Sequence, residues 1–226
     1  MQGQTAVVTG ANRGLGLELC RQLKQLDAEV IGTARDPQSA VDLRALEIRV
    51  EPLDVADPAS VAAFAESLGD MSVDLLINNA GVGGAGEGIA TLDFDDLERK
   101  IQINSLGPLR VTQALLPHLR RGEGRKIVHI TSRMGSIGDN GEGGYYAYRA
   151  SKTALNMLNR SLAVELVGQG FVCVVLHPGW VRTQMGGSSA PQTPEESARG
   201  ILNVISRLRR QGTGRFLDHT GAEIPW

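Results

Sequence analysis

The stretch that decides the fold is Thr5-Ala-Val-Val-Thr-Gly10-Ala-Asn-Arg-Gly-Leu-Gly16, which passes from an apolar run into a glycine-rich turn. A helix is expected directly after it, because Leu15, Leu19, Leu23 and Leu26 recur with helical period on one face. Glycine lets the backbone approach a pyrophosphate, whose charge suits a helix N-terminus. The segment therefore predicts a dinucleotide-binding strand-turn-helix.

A second glycine motif, Gly81-Val-Gly-Gly-Ala-Gly86, also fits GxGxxG and also follows an apolar run. No apolar-periodic helix begins at its last glycine, so the context needed for phosphate binding is missing. We interpret it as a loop. We expect the glycine-dense loops 81–88 and 135–144 to lie near the active site.

Apolar and β-branched runs alternate with segments of helical period along the whole chain. The runs lie at residues 5–9, 29–34, 48–53, 73–78, 126–131, 171–177 and 215–218. Helix starts are marked by Asp57-Pro58 and by Thr193-Pro194, and the last helix is expected to run from Pro194 to about Arg210. The pattern predicts an α/β fold in one domain, residues 1–226: a doubly wound Rossmann fold with about seven parallel strands and helices on both faces.

Composition narrows the class of partner. The 226 residues carry 23 basic and 25 acidic side chains, so no bulk field would recruit nucleic acid or an anionic membrane. No apolar run is long enough to cross a bilayer, and the first residues lack the pattern of a signal peptide. We expect a cytoplasmic protein that binds a small molecule.

Cysteine and histidine usage gives no sign of a metal site. Cys20 and Cys173 lack CxxC spacing and fall in a predicted helix and a predicted strand, so buried thiols are expected rather than a disulfide. The four histidines are scattered without ligand spacing such as HExxH. We predict no metal.

Two readings of the cofactor follow from the end of the second strand. Asp36 lies about twenty positions beyond the glycine turn, where a carboxylate can hold the ribose hydroxyls of NAD. Arg35 precedes it, and Arg13 lies inside the glycine turn, so two guanidinium groups could converge on a 2′-phosphate. The pair favours NADP(H), with NAD(H) as the alternative.

Tyr148 and Lys152 stand one helical turn apart at the start of a long apolar-periodic segment. An unperturbed tyrosine has a pKa of about 10, and a nearby ammonium favours the phenolate. Tyr145 and Tyr146 have Arg149 and Ala150 at the same offset, so neither is followed by lysine. Tyr148 is the predicted general acid or base, with a pKa lowered by Lys152.

Taken together, these motifs resemble the short-chain dehydrogenase/reductase family over essentially the whole chain. The resemblance rests on Thr9-Gly10-x-x-x-Gly14-x-Gly16, Asn78-Asn79-Ala80-Gly81, Asn104, Ser132, Tyr148-x-x-x-Lys152 and Pro178-Gly179-Trp-Val-Arg-Thr183, in that order. Segments 132–137, 177–187 and 215–226 are similar to those of C-factor-type and sniffer-type carbonyl reductases.

The resemblance implies a catalytic tetrad. Tyr148 would donate a proton to a carbonyl or accept one from an alcohol, while Ser132 would hydrogen-bond the substrate oxygen, a role for which Thr131 and Ser136 compete. Lys152 would hold the nicotinamide ribose and lower the pKa of the tyrosine, and Asn104 would anchor a relay water. The implied cofactor contacts are Gly10, Asn12, Arg13, Gly14, Leu15, Gly16, Arg35, Asp54, Val55, Asn79, Ala80, Gly81, Tyr148, Lys152, Pro178, Gly179, Val181 and Thr183.

The expected function is therefore NADP(H)-dependent interconversion of a small carbonyl compound and an alcohol. Residues 184–193 are expected to form a short lid. Long helices over 94–119 and 148–167 resemble those through which family members form homodimers and homotetramers. The alternative function is a cofactor-bound regulatory or cell-signalling factor of C-factor type with little or no turnover.

Overall fold

The computed structural model describes residues 1–84 and 86–226, and its centre is a parallel sheet that confirms all seven predicted strands. None is more than two residues shorter than expected. The strands are β1 (Thr5–Val8), β2 (Glu29–Ala34), β3 (Arg49–Pro52), β4 (Leu75–Asn78), β5 (Lys126–Ile130), β6 (Val172–His177) and β7 (Phe216–Asp218). Their order is β3-β2-β1-β4-β5-β6-β7. Because the direction of winding reverses between β1 and β4, a crevice opens there at the carboxyl edge.

Helices cover both faces of the sheet. They are α1 (Gly14–Gln25), α2 (Val41–Arg44), α3 (Pro58–Ser67), α4 (Phe94–Ile101), α5 (Gly107–Arg121), α6 (Tyr146–Leu166) and α7 (Pro194–Arg207). Side chains alternate along β1, so Ala6 and Val8 join the core beneath α1 and α7. Val7 joins the opposite core, beneath α3, α5 and α6. The structure is thus the doubly wound Rossmann fold that the alternating pattern predicts.

The predicted helix over 94–119 is confirmed as one continuous helical run, and it contains a π-helical segment that the sequence pattern did not predict. Helix α4 ends at Ile101, a π-helical segment covers Gln102–Leu106, and α5 begins at Gly107. Pro108 has no amide hydrogen, so the regular bond back to the carbonyl of Asn104 cannot form, and the widened turn absorbs this break. The last helix ends earlier than expected, at Arg207, because Leu208 has extended backbone.

Local signals at other helix ends are confirmed. Asp57 accepts a hydrogen bond from the amide of Ala59, and Thr193 forms a capping box with Glu196. Cys20 and Cys173 are buried free thiols, as expected.

Three further observations concern partners. Over residues 1–84 and 86–226, no helix is long and apolar enough to cross a membrane, and no group of three or more His, Cys, Asp or Glu residues could hold a metal ion. On α6, Met157 and Val164 expose more than half of their surface. Apolar side chains of this kind suit contact with a second copy of the chain, and the oligomeric state stays a prediction.

Candidate active site

The glycine turn after β1 is open toward the carboxyl edge of the sheet. Gly10 and Gly14 have φ of +63° and +55°, a region that side chains other than glycine rarely adopt. A side chain at Gly16 would overlap the carbonyl oxygen of Gly10. Arg13, the N-cap of α1, has no side-chain oxygen that could accept a hydrogen bond, so within the described residues the first-turn amides of α1 have no side-chain cap. This cradle fits a pyrophosphate.

Residues after β4 hold the turn in place. The hydroxyl oxygen of Thr9 accepts hydrogen bonds from the amides of Asn79 and Ala80, both at 3.0 Å. The side-chain amide of Asn79 donates to the carbonyls of Thr9 and Gly10, also at 3.0 Å. Asn79, predicted as a cofactor contact, therefore supports the cradle with its side chain. Ala80 and Gly81 follow it along the crevice.

Near the end of β2 lie two arginine side chains and one carboxylate that already accepts a hydrogen bond. Arg13 and Arg35 are exposed, and neither makes a side-chain hydrogen bond or an ion pair with any residue that the structure describes. The carboxylate of Asp36 instead accepts the amide of Gln38 at 2.9 Å, closing a local turn. This arrangement suits a phosphate on the ribose better than free ribose hydroxyls.

Other predicted cofactor contacts lie around the same crevice. Asp54 follows β3, and its carboxylate accepts the amide of Ala56 at 2.9 Å. Val55 is buried, and the backbone of Gly107 approaches it so closely that a side chain there would overlap. Asn12 is exposed in the glycine turn, whereas the side chain of Leu15 lies in the core, which leaves only its backbone for a ligand.

Helix α6 carries Tyr148 and Lys152 to the end of β5. The Lys152 nitrogen lies 5.9 Å from the centroid of the Tyr148 ring. It donates a hydrogen bond to the carbonyl of Ile130 at 3.0 Å. Burial lowers the pKa of Lys152 to about 8.

The expectation that Lys152 lowers the pKa of Tyr148 is wrong for the chain alone. Burial raises the pKa of the Tyr148 phenol, because the phenolate loses solvent, and a hydrogen bond with the Ser132 side chain acts in the opposite direction. Desolvation is the larger of the two effects. The lysine is itself buried and directed at a backbone carbonyl.

The three hydroxyl residues after β5 differ in their hydrogen-bond partners. Thr131 donates to the side chain of Asn156 at 2.7 Å, and Ser136 accepts the amide of Asp139 at 3.0 Å. Ser132 accepts a longer bond from the amide of Met134, at 3.2 Å, and its side chain is close enough to Tyr148 to act on the pKa of that phenol. The structure thus separates Ser132 from its two competitors.

Asn104 lies in the π-helical segment and is fully buried. Its side chain accepts the amide of Val82 at 2.8 Å and donates to the carbonyl of Val82 at 2.9 Å and to the hydroxyl of Ser151 at 3.0 Å. Ser151 in turn donates to the carbonyl of Tyr148 at 2.8 Å. Sequence analysis missed Ser151, although its position three residues after Tyr148 is the signal for such a bond.

The Pro178-Gly179 turn after β6 begins a short arm across the crevice. Ser197 of α7 donates to the carbonyl of Pro178 at 2.7 Å, which fixes the turn. Beyond it, the Thr183 side chain lies 3.3 Å from where a Cβ on Gly14 would stand, and Met185 contacts the backbone of Gly83. Val181 is buried beneath the arm. The arm therefore spans from the first glycine motif to the second, and a lid formed by residues 184–193 stays a prediction.

Comparison with known proteins gives the same architecture. A family described as "short chain dehydrogenase" matches residues 4–194. The chain is 52% identical to "C-signal" of Myxococcus xanthus over 164 residues, 73% of this chain and 99% of that protein.

Two solved structures superpose along the full length of the chain. One is the carbonyl reductase Sniffer of D. melanogaster, with a TM-score of 0.94, 33% identity and 100% of both chains covered. The other is the NADPH-bound carbonyl reductase from chicken fatty liver, with a TM-score of 0.92, 37% identity and 100% of both chains covered. These likenesses extend beyond the residues of the crevice to the whole sheet and its helices.

Proposed function

Because the chain belongs to the short-chain dehydrogenase family, we propose that it is an NADP(H)-dependent oxidoreductase that interconverts a carbonyl compound and an alcohol. The observation that carries this proposal is the meeting of Ser132, Tyr148 and Lys152 at the same sheet edge as the open glycine cradle. A cradle alone would argue only for binding. The hydroxyl, phenol and ammonium beside it supply acid-base chemistry.

Each of these side chains has a distinct task in the proposed mechanism. Bound NADPH supplies the hydride from its nicotinamide ring. Ser132 and Tyr148 hold the substrate oxygen, and in reduction Tyr148 gives its phenolic proton to that oxygen. A raised pKa keeps Tyr148 protonated at neutral pH, which suits the direction of reduction. Lys152, which donates to the carbonyl of Ile130 in this structure, would hold the ribose hydroxyls of the cofactor.

The preference for the phosphorylated cofactor rests on Arg13 and Arg35. Both are exposed beside the cradle, and Asp36, which would repel a phosphate, is turned onto the Gln38 amide. The chicken carbonyl reductase, 37% identical, binds NADPH. Two guanidinium groups bind a phosphate more strongly than ribose hydroxyls, so NADP(H) is the proposed partner.

Turnover tests the catalytic part of the proposal. NADPH oxidation is followed by absorbance with a panel of ketones and aldehydes for wild type, Tyr148→Phe and Lys152→Ala. We expect both variants to lose at least about 100-fold in kcat/KM, within the range for loss of a general acid. Tyr146→Phe, an exposed tyrosine on the same helix, is the matched control. Absence of turnover in wild type, or unchanged turnover in Tyr148→Phe, contradicts the mechanism.

Calorimetry tests the cofactor separately. Wild type is expected to bind NADPH more tightly than NADH, and the double change Arg13→Ala with Arg35→Ala should remove that difference. Arg120→Ala, a surface arginine near the C-terminal end of α5, should leave it intact. A wild-type preference for NADH would reject the phosphate assignment.

A signalling role is the second candidate, favoured by the name of one relative, "C-signal". That relative matches 73% of this chain rather than all of it. The two candidates differ in one measurement, since a binding factor would retain NADPH affinity in wild type and yet reduce no carbonyl compound.

A further inference from the structure

The part of the second glycine motif that contains Gly83, Gly84 and Gly86 holds no predicted cofactor contact, and its surroundings point to a different use. Side chains from three separate elements pack on its backbone. A Cβ on Gly83 would stand 2.8 Å from Met185 of the arm, and one on Gly84 would stand 2.5 Å from the ammonium of buried Lys100. A Cβ on Gly86 would stand 2.6 Å from the ring of Tyr145. Because these glycines have no Cβ, side chains from other elements can pack directly against the backbone.

The loop that continues from this motif reaches the first turn of α6. The carbonyl of Glu87 accepts the amide of Tyr145 at 3.0 Å. The carboxylate of Glu87 accepts the amide of Ala147 at 2.7 Å. Glu87 is partly buried, although its neighbours Gly86 and Gly88 are exposed. A loop residue 60 positions away in sequence thus bonds the residue next to Tyr148.

Helix α6 needs such a partner, because its own N-cap cannot serve. Tyr145 occupies that position with φ of +50° and makes no side-chain capping bond in the described structure. A helix start leaves several amides without partners, and an oxygen acceptor on the second or third of them is the usual remedy. The Glu87 carboxylate satisfies the second, and its negative charge is favourable at a helix N-terminus.

We propose that Glu87 positions Tyr148 by capping the catalytic helix from outside it. Glu87 is a positioning residue, and the inference rests on the proposed function of Tyr148. The pKa of Tyr148 is shifted by burial and by Ser132, so the role of Glu87 is to supply an oxygen acceptor rather than a charge. The other end of the loop is fixed to Asn104 through both backbone groups of Val82.

Three variants separate this role from a general structural one. Glu87→Ala removes the acceptor, Glu87→Gln keeps an oxygen without the charge, and Glu142→Ala removes an exposed glutamate from the neighbouring loop. Glu87→Ala is expected to lose about tenfold in kcat, the scale of a modest misplacement of a catalytic group, while its NADPH affinity stays within about twofold of wild type. Glu87→Gln and Glu142→Ala are expected to keep wild-type kcat.

Amide hydrogen exchange of the peptide 144–150 gives a readout that needs no turnover. Exchange there should accelerate in Glu87→Ala and stay slow in Glu87→Gln and Glu142→Ala. If neither wild type nor any variant oxidises NADPH, the proposed function fails. The exchange pattern still tests whether Glu87 caps α6. The inference is overturned if Glu87→Ala shows the same exchange rate and the same kcat as wild type. It is also overturned if Glu87→Gln loses as much kcat as Glu87→Ala.

A further variant covers the case in which Glu87→Ala does not fold. Glu87→Asp keeps the charge but withdraws the oxygen by one methylene, beyond reach of the Ala147 amide. We expect Glu87→Asp to have a lowered kcat, as in Glu87→Ala, because its retained negative charge does not replace the lost hydrogen bond. Full activity in Glu87→Asp would overturn the assignment.

Discussion

Two segments of this chain carry nearly the same glycine pattern and do different work. The nearest atoms to the Cβ positions of Gly10 and Gly16 belong to the backbone, those of Ala80 and of the turn itself, with the side-chain amide of Asn79 also close to Gly16. The space beside Gly83 and Gly86 is taken by side chains, those of Met185 and Tyr145. The first motif opens α1, a helix of 12 residues, whereas the second precedes a three-residue 3-10 helix at Ile89–Thr91.

The difference teaches what a glycine pattern decides and what it leaves open. Glycine permits close approach, and the element that follows determines what approaches. A long helix with free first-turn amides attracts an anion, so the first motif becomes a cradle. A three-residue turn lacks the electrostatic field of a long helix. The second motif instead becomes a platform, a stretch of backbone against which the side chains of Lys100, Met185 and Tyr145 pack.

The largest expected effect comes from filling the first motif. Gly10→Ala places a Cβ 2.8 Å from the backbone Cα of Ala80 at a φ of +63°. Overpacking against backbone together with a left-handed conformation should lower the free energy of unfolding by about 3 kcal/mol. Gly83→Ala meets only the flexible side chain of Met185, so its cost should stay below about 1 kcal/mol. Urea denaturation of both variants measures the contrast.

The cofactor provides the second half of this test. Gly10→Ala should also weaken NADPH binding, while Gly83→Ala should alter KM for the carbonyl substrate instead. Gly69→Ala is a useful reference, since Gly69 has a similar positive φ of +54° with nothing within 4 Å of its Cβ position. Equal destabilisation by Gly10→Ala and Gly83→Ala would remove the distinction between the two motifs.

Much of the architecture could be predicted from local sequence. The run from Thr5 to Gly16, the Asp57-Pro58 start and the Thr193 capping box each depend on neighbours in sequence, and each is confirmed. Tyr148 and Lys152 share a helix, so their proximity also follows from spacing. Their roles in catalysis stay proposals.

What sequence could not supply depends on contacts between distant residues. The bond from the Ala147 amide to Glu87 joins residues 60 apart, and no local pattern marks it. The i,i+4 spacing predicts that Lys152 lowers the pKa of Tyr148, but spacing cannot show that the phenol is buried. Burial raises that pKa. The π-helical segment after Ile101 has a local sign in Gly107-Pro108, but the apolar period continues across it and predicts a regular helix.

An intermediate effect is expected from the two asparagines that brace the motifs. Asn79 bonds two carbonyls of the first motif, and Asn104 bonds both backbone groups of Val82 in the second. Asn79→Ala should weaken NADPH binding about tenfold, because two buried acceptors lose their donor. Asn104→Ala should instead lower kcat by a similar factor with a smaller change in NADPH affinity.

Fluorescence titration and steady-state kinetics measure the two quantities on the same preparations. Asn203→Ala, at an exposed position of α7, should change neither. If both variants altered NADPH affinity and kcat in equal proportion, the two loops would act as one unit rather than as a cradle and a platform.

The smallest expected effect is a pH dependence at Lys152, which lies where the two motifs meet. Its ammonium stands 3.6 Å from the Cβ position of Gly81, and burial lowers its pKa from 10.5 to about 8. Between those values the unfolded chain binds a proton that the folded chain has released, so stability from this group rises with pH. Relative to Lys152→Met, the unfolding free energy of cofactor-free wild type should increase by about 1 kcal/mol between pH 8 and pH 9.

Comparing the two proteins isolates this lysine from other titrating groups. His129, also buried nearby, has its pKa lowered to about 3 and stays neutral throughout the window. The exposed Lys24 serves as reference, and Lys24→Met should show no such rise relative to wild type. If the difference in unfolding free energy between wild type and Lys152→Met did not change with pH, the Lys152 ammonium would be solvated. Water would then reach the place beside Gly81 where the two motifs meet.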